Sequence, residues 1–291
     1  MARIIVPEAE ALLDVQIPVL DKGFVRLVDY LGGDQRIVQA ARVSYGGGTK
    51  SYRQDQGLIH YLIKNWHTSP FEQVILTFHT KMPIFVARQW VRHRTARLNE
   101  ISGRYSVMKD DFYVPEVGQI KFQSESNKQA RSDSSLPEED AQAVVNMLES
   151  EQKSAYTNYM AMLEKGVARE IARTNLPINL YTEWYWQIDL HNLFHFLRLR
   201  LDAHAQYEIR VYAEAMATAA KAVAPIAYEA FEEHILGSVN FSRAESEALA
   251  QMLSGSPSGL EGKAQVAFEA KLAKLRASRS VDIAEELTVL L

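Results

Sequence analysis

Residues 83–105 read PIFVARQWVRHRTARLNEISGRY. Pro83 suits the first position of a helix, where its missing N–H costs nothing. Ile84, Ala87, Arg88 and Val91 carry the helical spacing onward to a stop after Arg94. Ile84, Phe85, Val86, Ala87, Trp90 and Val91 make this a helix buried against a core. Arg88, Arg92, His93, Arg94, Arg97 and Arg104 crowd into 17 residues, interleaved with Asn99, Glu100, Ser102 and the turn residue Gly103. A charge run alone reads as a solvated face. Guanidinium groups leaving a buried helix need acceptors, however, and their planar fork matches phosphate oxygens two at a time. Each such contact contributes about 1.5–3 kcal/mol. The segment therefore predicts a site for nucleotide phosphates.

Working outward, residues 24–30 predict a strand closed by Gly32 and Gly33, then a helix over 35–43 capped by Asp34. Residues 46–48 are three glycines in a loop, and the run GGGTKS lacks the Gly-Lys pair and the spacing of a P-loop. Residues 58–66 predict an amphipathic helix and 73–81, QVILTFHTK, a strand. The polar stretch 117–134 predicts a mobile surface insertion. Ser135 and Glu138 form a capping-box pattern with Pro137 inside it, opening a long helix to Lys165 that Gly166 stops. Residues 169–175 predict one or two helical turns ended by Pro177, and LYTEWYWQI, 180–188, a strand. Asp189 can cap the next helix, which carries Leu193, Phe196, Leu197 and Arg200 to about Leu201. A further helix from about Ala205 is interrupted near Pro225. Past Gly237, SGSPSG is a loop and FEAKLAKLRASR an exposed helix. Residues 1–238 thus form one expected catalytic domain and 239–291 a helical C-terminal extension.

The chain has 291 residues, 47% of them hydrophobic, enough for a substantial core. Its 32 Lys+Arg against 36 Asp+Glu give a net charge of −4, unlike a protein that coats nucleic acid, so any anion site must be local. There is no cysteine, which excludes disulfides, thiolate metal sites and thiol nucleophiles. No apolar stretch approaches the roughly 20 residues of a membrane span. Glu8 and Glu10 interrupt any secretory signal near the N-terminus, and the expected location is cytoplasmic.

RHR, seven residues and then Ser102 resembles the signature of the flavin-dependent thymidylate synthases, extended here through Asn99, Glu100, Gly103, Arg104 and Tyr105. AARVSY (40–45), HTSPFE (67–72), PIFVARQW (83–90), AR with LPINLYT (172–173 and 176–182) and LRLDAHAQYEI (199–209) match the family in the same order. The resemblance implies reductive methylation of dUMP to dTMP, with methylenetetrahydrofolate as carbon donor, FAD as cofactor and NADPH as reductant. It implies an α+β fold, helices around a small mostly antiparallel sheet without a Rossmann domain, in a homotetramer whose subunits share sites. The absence of cysteine agrees, since the other solution to uracil methylation adds a thiol to the ring.

By the same resemblance Ser69, Arg92, His93, Arg94 and Glu100 line the FAD site, with Asp189, His191 and His195 at flavin-binding positions where the family often has Asn, Arg and Asn. Gln89, Arg92, Glu100, Ser102, Gly103, Arg104, Arg173 and Arg200 hold dUMP. Arg200 is the expected catalytic residue, a cation that draws charge onto the uracil ring. Ser102 is read as a binder, because no Ser-His-Asp arrangement activates it. His191 and His195 have the i, i+4 spacing of a zinc helix but lack its glutamate, and no metal is expected. His204 is either a flavin neighbour or a core histidine. Arg97 stands where a small residue is expected. The alternative function is a nucleic-acid binder using the arginines between 88 and 104, with Trp90 and Tyr105 for stacking.

Overall fold

Along the strand Ile75–Pro83 every second side chain turns inward. Leu76, Phe78, Thr80 and Met82 are buried, while Ile75, Thr77, His79 and Lys81 stay partly exposed. This period of two defines a sheet with one face against a core. The computed structural model describes residues 3–43, 52–125 and 128–289. The glycine loop at 46–48 and the GGGTKS run lie outside them, as do Ser44 and Tyr45 of AARVSY. The chain forms two compact units, Met1–His234 and Ile235–Leu291.

The first unit begins with α1 (Pro7–Glu10), β1 (Gln16–Val19), β2 (Gly23–Leu31), α2 (Asp34–Ala41), α3 (Tyr52–Lys64), β3 (Ile75–Pro83), α4 (Ile84–Trp90) and β4 (Arg97–Glu100). It continues with β5 (Lys121–Gln123), β6 (Arg131–Ser135), α5 (Glu138–Glu164), α6 (Arg169–Ala172), β7 (Tyr181–Asp189), α7 (Leu190–Arg200), α8 (Tyr207–Val223) and α9 (Pro225–Phe231). Five strands pair antiparallel in the order β1-β2-β3-β7-β4. Val25, Leu27, Leu76, Phe78, Met82, Trp184 and Trp186 fill the inward face, and α8 lies against it with ten buried side chains. The architecture is α+β, as expected. A second apolar cluster, Met108, Phe112, Tyr159, Ala172 and Leu180, is built by α5, α6 and the chain around Met108.

Several local expectations change. Pro83 is the last strand residue and the N-cap of α4, at ψ 145°, because its N–H-free backbone tolerates either role. The helix ends at Trp90, so Arg92, His93 and Arg94 follow it in a turn. Residues 97–100, to which the sequence assigned no element, form an edge strand on β7. Ser135 ends β6 instead of capping α5, whose N-cap is Pro137 without a side-chain bond. Inside the stretch 117–134 expected as a loop, β5 and β6 form a hairpin. Arg131 ties it to α8 through both oxygens of the buried Glu208, at 2.8 and 2.7 Å. Gly166, at φ +78°, ends α5 as expected.

Asp34 is the first residue of α2 and caps a different helix. Its two oxygens accept the N–H groups of Ile226 and Ala227, each at 2.9 Å, at the start of α9. Burial raises its carboxyl to about pKa 6 despite those two bonds. A carboxyl raised on folding contributes stability that is present below its unfolded value and lost as pH rises through the folded one. Between pH 5 and 8 this contribution should fall by on the order of 1 kcal/mol. Unfolding free energies from urea titrations of the wild type and of Asp34→Asn should differ by an amount that changes by this much over that range. A pH-independent difference would remove Asp34 from the account.

The second unit contains α10 (Arg243–Leu253) and α11 (Gly262–Val289). Ser242 and Glu245 form a capping box on α10, and Lys271 reaches both oxygens of Glu245 at 2.7 Å. The lysine, with the Ser242 N–H, holds that carboxyl at about pKa 2. Phe268 is fully buried and meets Phe241, so FEAKLAKLRASR is not the wholly exposed helix its charges predicted. Among the described residues no helix is long and apolar enough to cross a membrane.

Candidate active site

Trp90 fixes where the arginine segment begins. It has no exposed surface and lies among Trp184, Trp186, Phe196 and Tyr212, at ring separations of 5.4, 5.5, 5.1 and 5.9 Å. Aromatic pairs of this kind contribute about 0.5–1.5 kcal/mol each beyond area burial, so the end of α4 is pinned to β7, α7 and α8. Its burial also removes Trp90 as a stacking platform, and with it half of the nucleic-acid alternative. Arg88, Arg92, Arg94 and Arg97 are exposed, and among the described residues none has a carboxylate partner.

His93 turns the other way. It is 8% exposed and sits edge-on to Phe196 at 4.8 Å, with His195 at 6.0 Å. Its Nε2 accepts the Nε–H of Arg200 at 3.1 Å. Arg200, at the end of α7, also donates through Nη2 to the Gln89 carbonyl at 3.2 Å. The Gln89 side chain is held by Gln206. Three of the five Arg200 N–H groups have no protein acceptor among the described residues. Burial lowers the pKa of this guanidinium, as expected for a charge without a paired anion. For His93, burial, Arg200 and His195 together lower the pKa to about 4, so the ring is neutral at physiological pH.

At the other end of α7, Asp189 caps the helix as expected, accepting from the Asn192 N–H at 2.9 Å and the Asn192 side chain at 2.8 Å. Thr95 donates to Asn192 at 2.8 Å, tying the arginine segment to this cap. His191 is half-buried, His195 exposed, and Ser69 is exposed in the turn before Phe71–Gln73. His204 is exposed and paired with Asp202 at 2.8 Å, which excludes its reading as a core histidine.

The remaining site residues form a second group on the Met108 cluster. Gly103 is buried, and a Cβ there would stand 2.9 Å from Met108 Sδ and 3.1 Å from Arg173 Cδ. A side chain at this position would push on the ends of the Met108 and Arg173 side chains. Met108 is fixed in turn by Tyr159 and Tyr156. Ser102 Oγ accepts the Arg104 N–H at 3.3 Å, and Arg104 pairs with Glu170 at 3.2 Å. Glu100, on β4, accepts from Thr182 Oγ1 at 2.6 Å. Arg173 is exposed and unpaired among the described residues. Direct contacts thus join Gln89, His93 and Arg200 in one group, and Ser102, Gly103, Arg104 and Arg173 lie together in another.

Thr95, Asn192, Thr182 and Gln206 hold these residues in place, and the sequence did not single them out. Only their position inside or beside the quoted segments hinted at them.

Residues 26–226 match the family model described as thymidylate synthase complementing protein, and residues 239–278 match the thymidylate synthase ThyX C-terminal domain. The chain belongs to the flavin-dependent thymidylate synthase family. The flavin-dependent thymidylate synthase of Treponema denticola is 58% identical over 260 residues, covering 89% of this chain and 98% of that protein. That of Treponema pallidum is 56% identical, covering 94% and 89%. Among solved structures, a UMP/dUMP methylase, PolB from Streptomyces cacaoi, bound with 5-Br dUMP, superposes with a TM-score of 0.68 at 35% identity. It covers 75% of this chain and 98% of its own.

Proposed function

We propose that the group around Arg200 and the group around Gly103 are two halves of one site, brought together by different subunits of a homotetramer, in which dUMP is reductively methylated to dTMP. The chain is accordingly a methyltransferase that takes FAD as cofactor, with methylenetetrahydrofolate and NADPH as co-substrates. The observation that carries the reading is Arg200, a half-buried guanidinium with two N–H groups fixed by the protein and three unclaimed among the described residues.

The donor set fits a flavin dinucleotide. Arg92 and Arg94 are exposed cations without carboxylate partners among the described residues, on a turn pinned by Trp90, and suit a pyrophosphate. When bound, the flavin supplies the hydride that completes the methyl group. Arg104, Arg173 and the Ser102–Gly103 turn hold the nucleotide phosphate and sugar. Arg200 stabilises negative charge on the uracil ring, which makes C5 nucleophilic without covalent addition by the protein. Ser102 binds, since among the described residues no imidazole is hydrogen-bonded to its Oγ to take its proton.

Purified protein should be yellow, and tritium should be released from C5-labelled dUMP only when NADPH and flavin are both present. Release without flavin, or none with all components supplied, would overturn the reading.

A further inference from the structure

The resemblance implies that His93 serves the flavin, yet its best-defined contact is with another side chain. We propose that His93 is the positioning residue for Arg200, a neutral imidazole whose Nε2 fixes the direction of the guanidinium. This rests on the reading of Arg200 as the catalytic cation.

Arginine has only donors, so the bond from Arg200 Nε to His93 Nε2, at 3.1 Å, requires an unprotonated Nε2. A neutral ring then carries its proton on Nδ1. Protonation of both nitrogens would set two cations in contact at a site with little solvent, and burial, with Arg200 and His195 beside it, holds the ring's pKa at about 4. The acceptor form is therefore the populated form at neutral pH. The ring itself cannot turn freely, with Phe196 edge-on at 4.8 Å and 8% of the residue exposed. The second constraint on Arg200, the Gln89 carbonyl at 3.2 Å, belongs to α4, which the buried Trp90 immobilises. Two acceptors on a fixed frame thus take the Nε–H and one Nη2–H of the guanidinium and leave its other three N–H groups directed by default. One consequence concerns the cofactor. With Nε2 committed to Arg200, His93 can meet a flavin only as an Nδ1–H donor, so the same ring links any acceptor on the flavin to the orientation of Arg200.

The test is a double-mutant cycle read on turnover, on the dUMP dissociation constant and on bound flavin. His93→Phe keeps a ring against Phe196 and removes the acceptor. His93→Gln places an amide oxygen near the Nε2 position, whereas His93→Asn reaches only the Nδ1 position. In the wild-type background His93→Phe and His93→Asn should lower kcat about tenfold, the worth of one charge-assisted hydrogen bond, with flavin content and melting temperature unchanged. His93→Gln should recover most of that loss. In the Arg200→Ala background His93→Phe should add no further loss of turnover or of dUMP binding. Equal losses in both backgrounds, or loss of flavin from His93→Phe, would show that His93 acts on the cofactor directly and overturn the proposal. So would a His93→Gln variant as impaired as His93→Asn. If Arg200→Ala alone leaves turnover intact, the reading of Arg200 falls and the proposal falls with it. If His93→Phe does not fold, the Gln and Asn pair decides by the same criteria.

Discussion

Arg200→Ala is expected to lower kcat by a factor on the order of 10²–10³ with FAD still bound. The magnitude is that of removing one preorganised donor from a site where charge develops, about 2.7–4 kcal/mol. The position of Arg200 supports a cost at this level. A guanidinium half out of water, with its pKa lowered by burial and no carboxylate paired to it among the described residues, is poised to gain most when negative charge appears nearby. Its direction is already set by His93 and the Gln89 carbonyl, so little reorganisation is needed during reaction. Flavin should be retained because Arg92 and Arg94, the pyrophosphate candidates, are on a turn anchored independently through Trp90. Arg200→Lys should recover only part of the loss, since a single ammonium keeps the charge but not the fork. The measurement separates flavin reduction by NADPH from the subsequent methylation in single-turnover experiments. Only the second should slow. A matching fall in flavin reduction would place Arg200 against the cofactor instead of the uracil ring.

The parts of this site that were legible in the sequence are those carried by strong local chemistry. The arginines of residues 88–104 and the buried face of α4 followed from composition and spacing, and Asp189 as an N-cap followed from its residue type ahead of an apolar helix. The α+β fold and the identities of Arg173 and Arg200 as site residues came from the ordered resemblance, not from spacing. What remained hidden was set by tertiary partners. Nothing in Arg97, Leu98, Asn99 and Glu100, all exposed, distinguishes an edge strand from a loop. β4 exists because β7 offers it a row of backbone groups. Asp34 precedes a helix and reads as its cap, yet the N–H groups it satisfies belong to α9, 192 positions on in the nearer case. Arg131, in a segment that composition assigned to a loop, is drawn into order by the buried Glu208. The role of His93 was the least legible of all. A histidine between two arginines in sequence looks like one more cationic contact, whereas burial and the bond from Arg200 make it a neutral acceptor.

Coexpressing two inactive variants should restore activity. Arg200→Ala disables the half-site that contains Gln89 and His93, and Arg173→Ala disables the half-site closed around Gly103. Both substitutions are suited to the experiment. Arg173 is exposed and unpaired among the described residues, so its loss leaves no buried partner unsatisfied. Arg200 is only half buried, and truncating it frees a carbonyl and a ring nitrogen that water can reach through the space vacated. The two groups are built on different parts of the fold. The first stands on the aromatic cluster of Trp90, Trp184 and Trp186, and the second on the cluster of Met108, Phe112 and Tyr159. If each site in a homotetramer takes one half from each of two subunits, random assembly of the two variants in equal amounts leaves about a quarter of the sites with both halves intact. Coexpressed protein should then reach about a quarter of wild-type turnover, a gain on the order of 10-fold or more over either variant alone. The variants purified separately and mixed without subunit exchange should stay inactive, which controls for contamination by wild type. If both halves come from one chain, every assembled site carries a lesion whatever the mixture, and coexpression restores nothing. The outcome therefore distinguishes a composite site from one built within a single subunit, without a structure of the assembly.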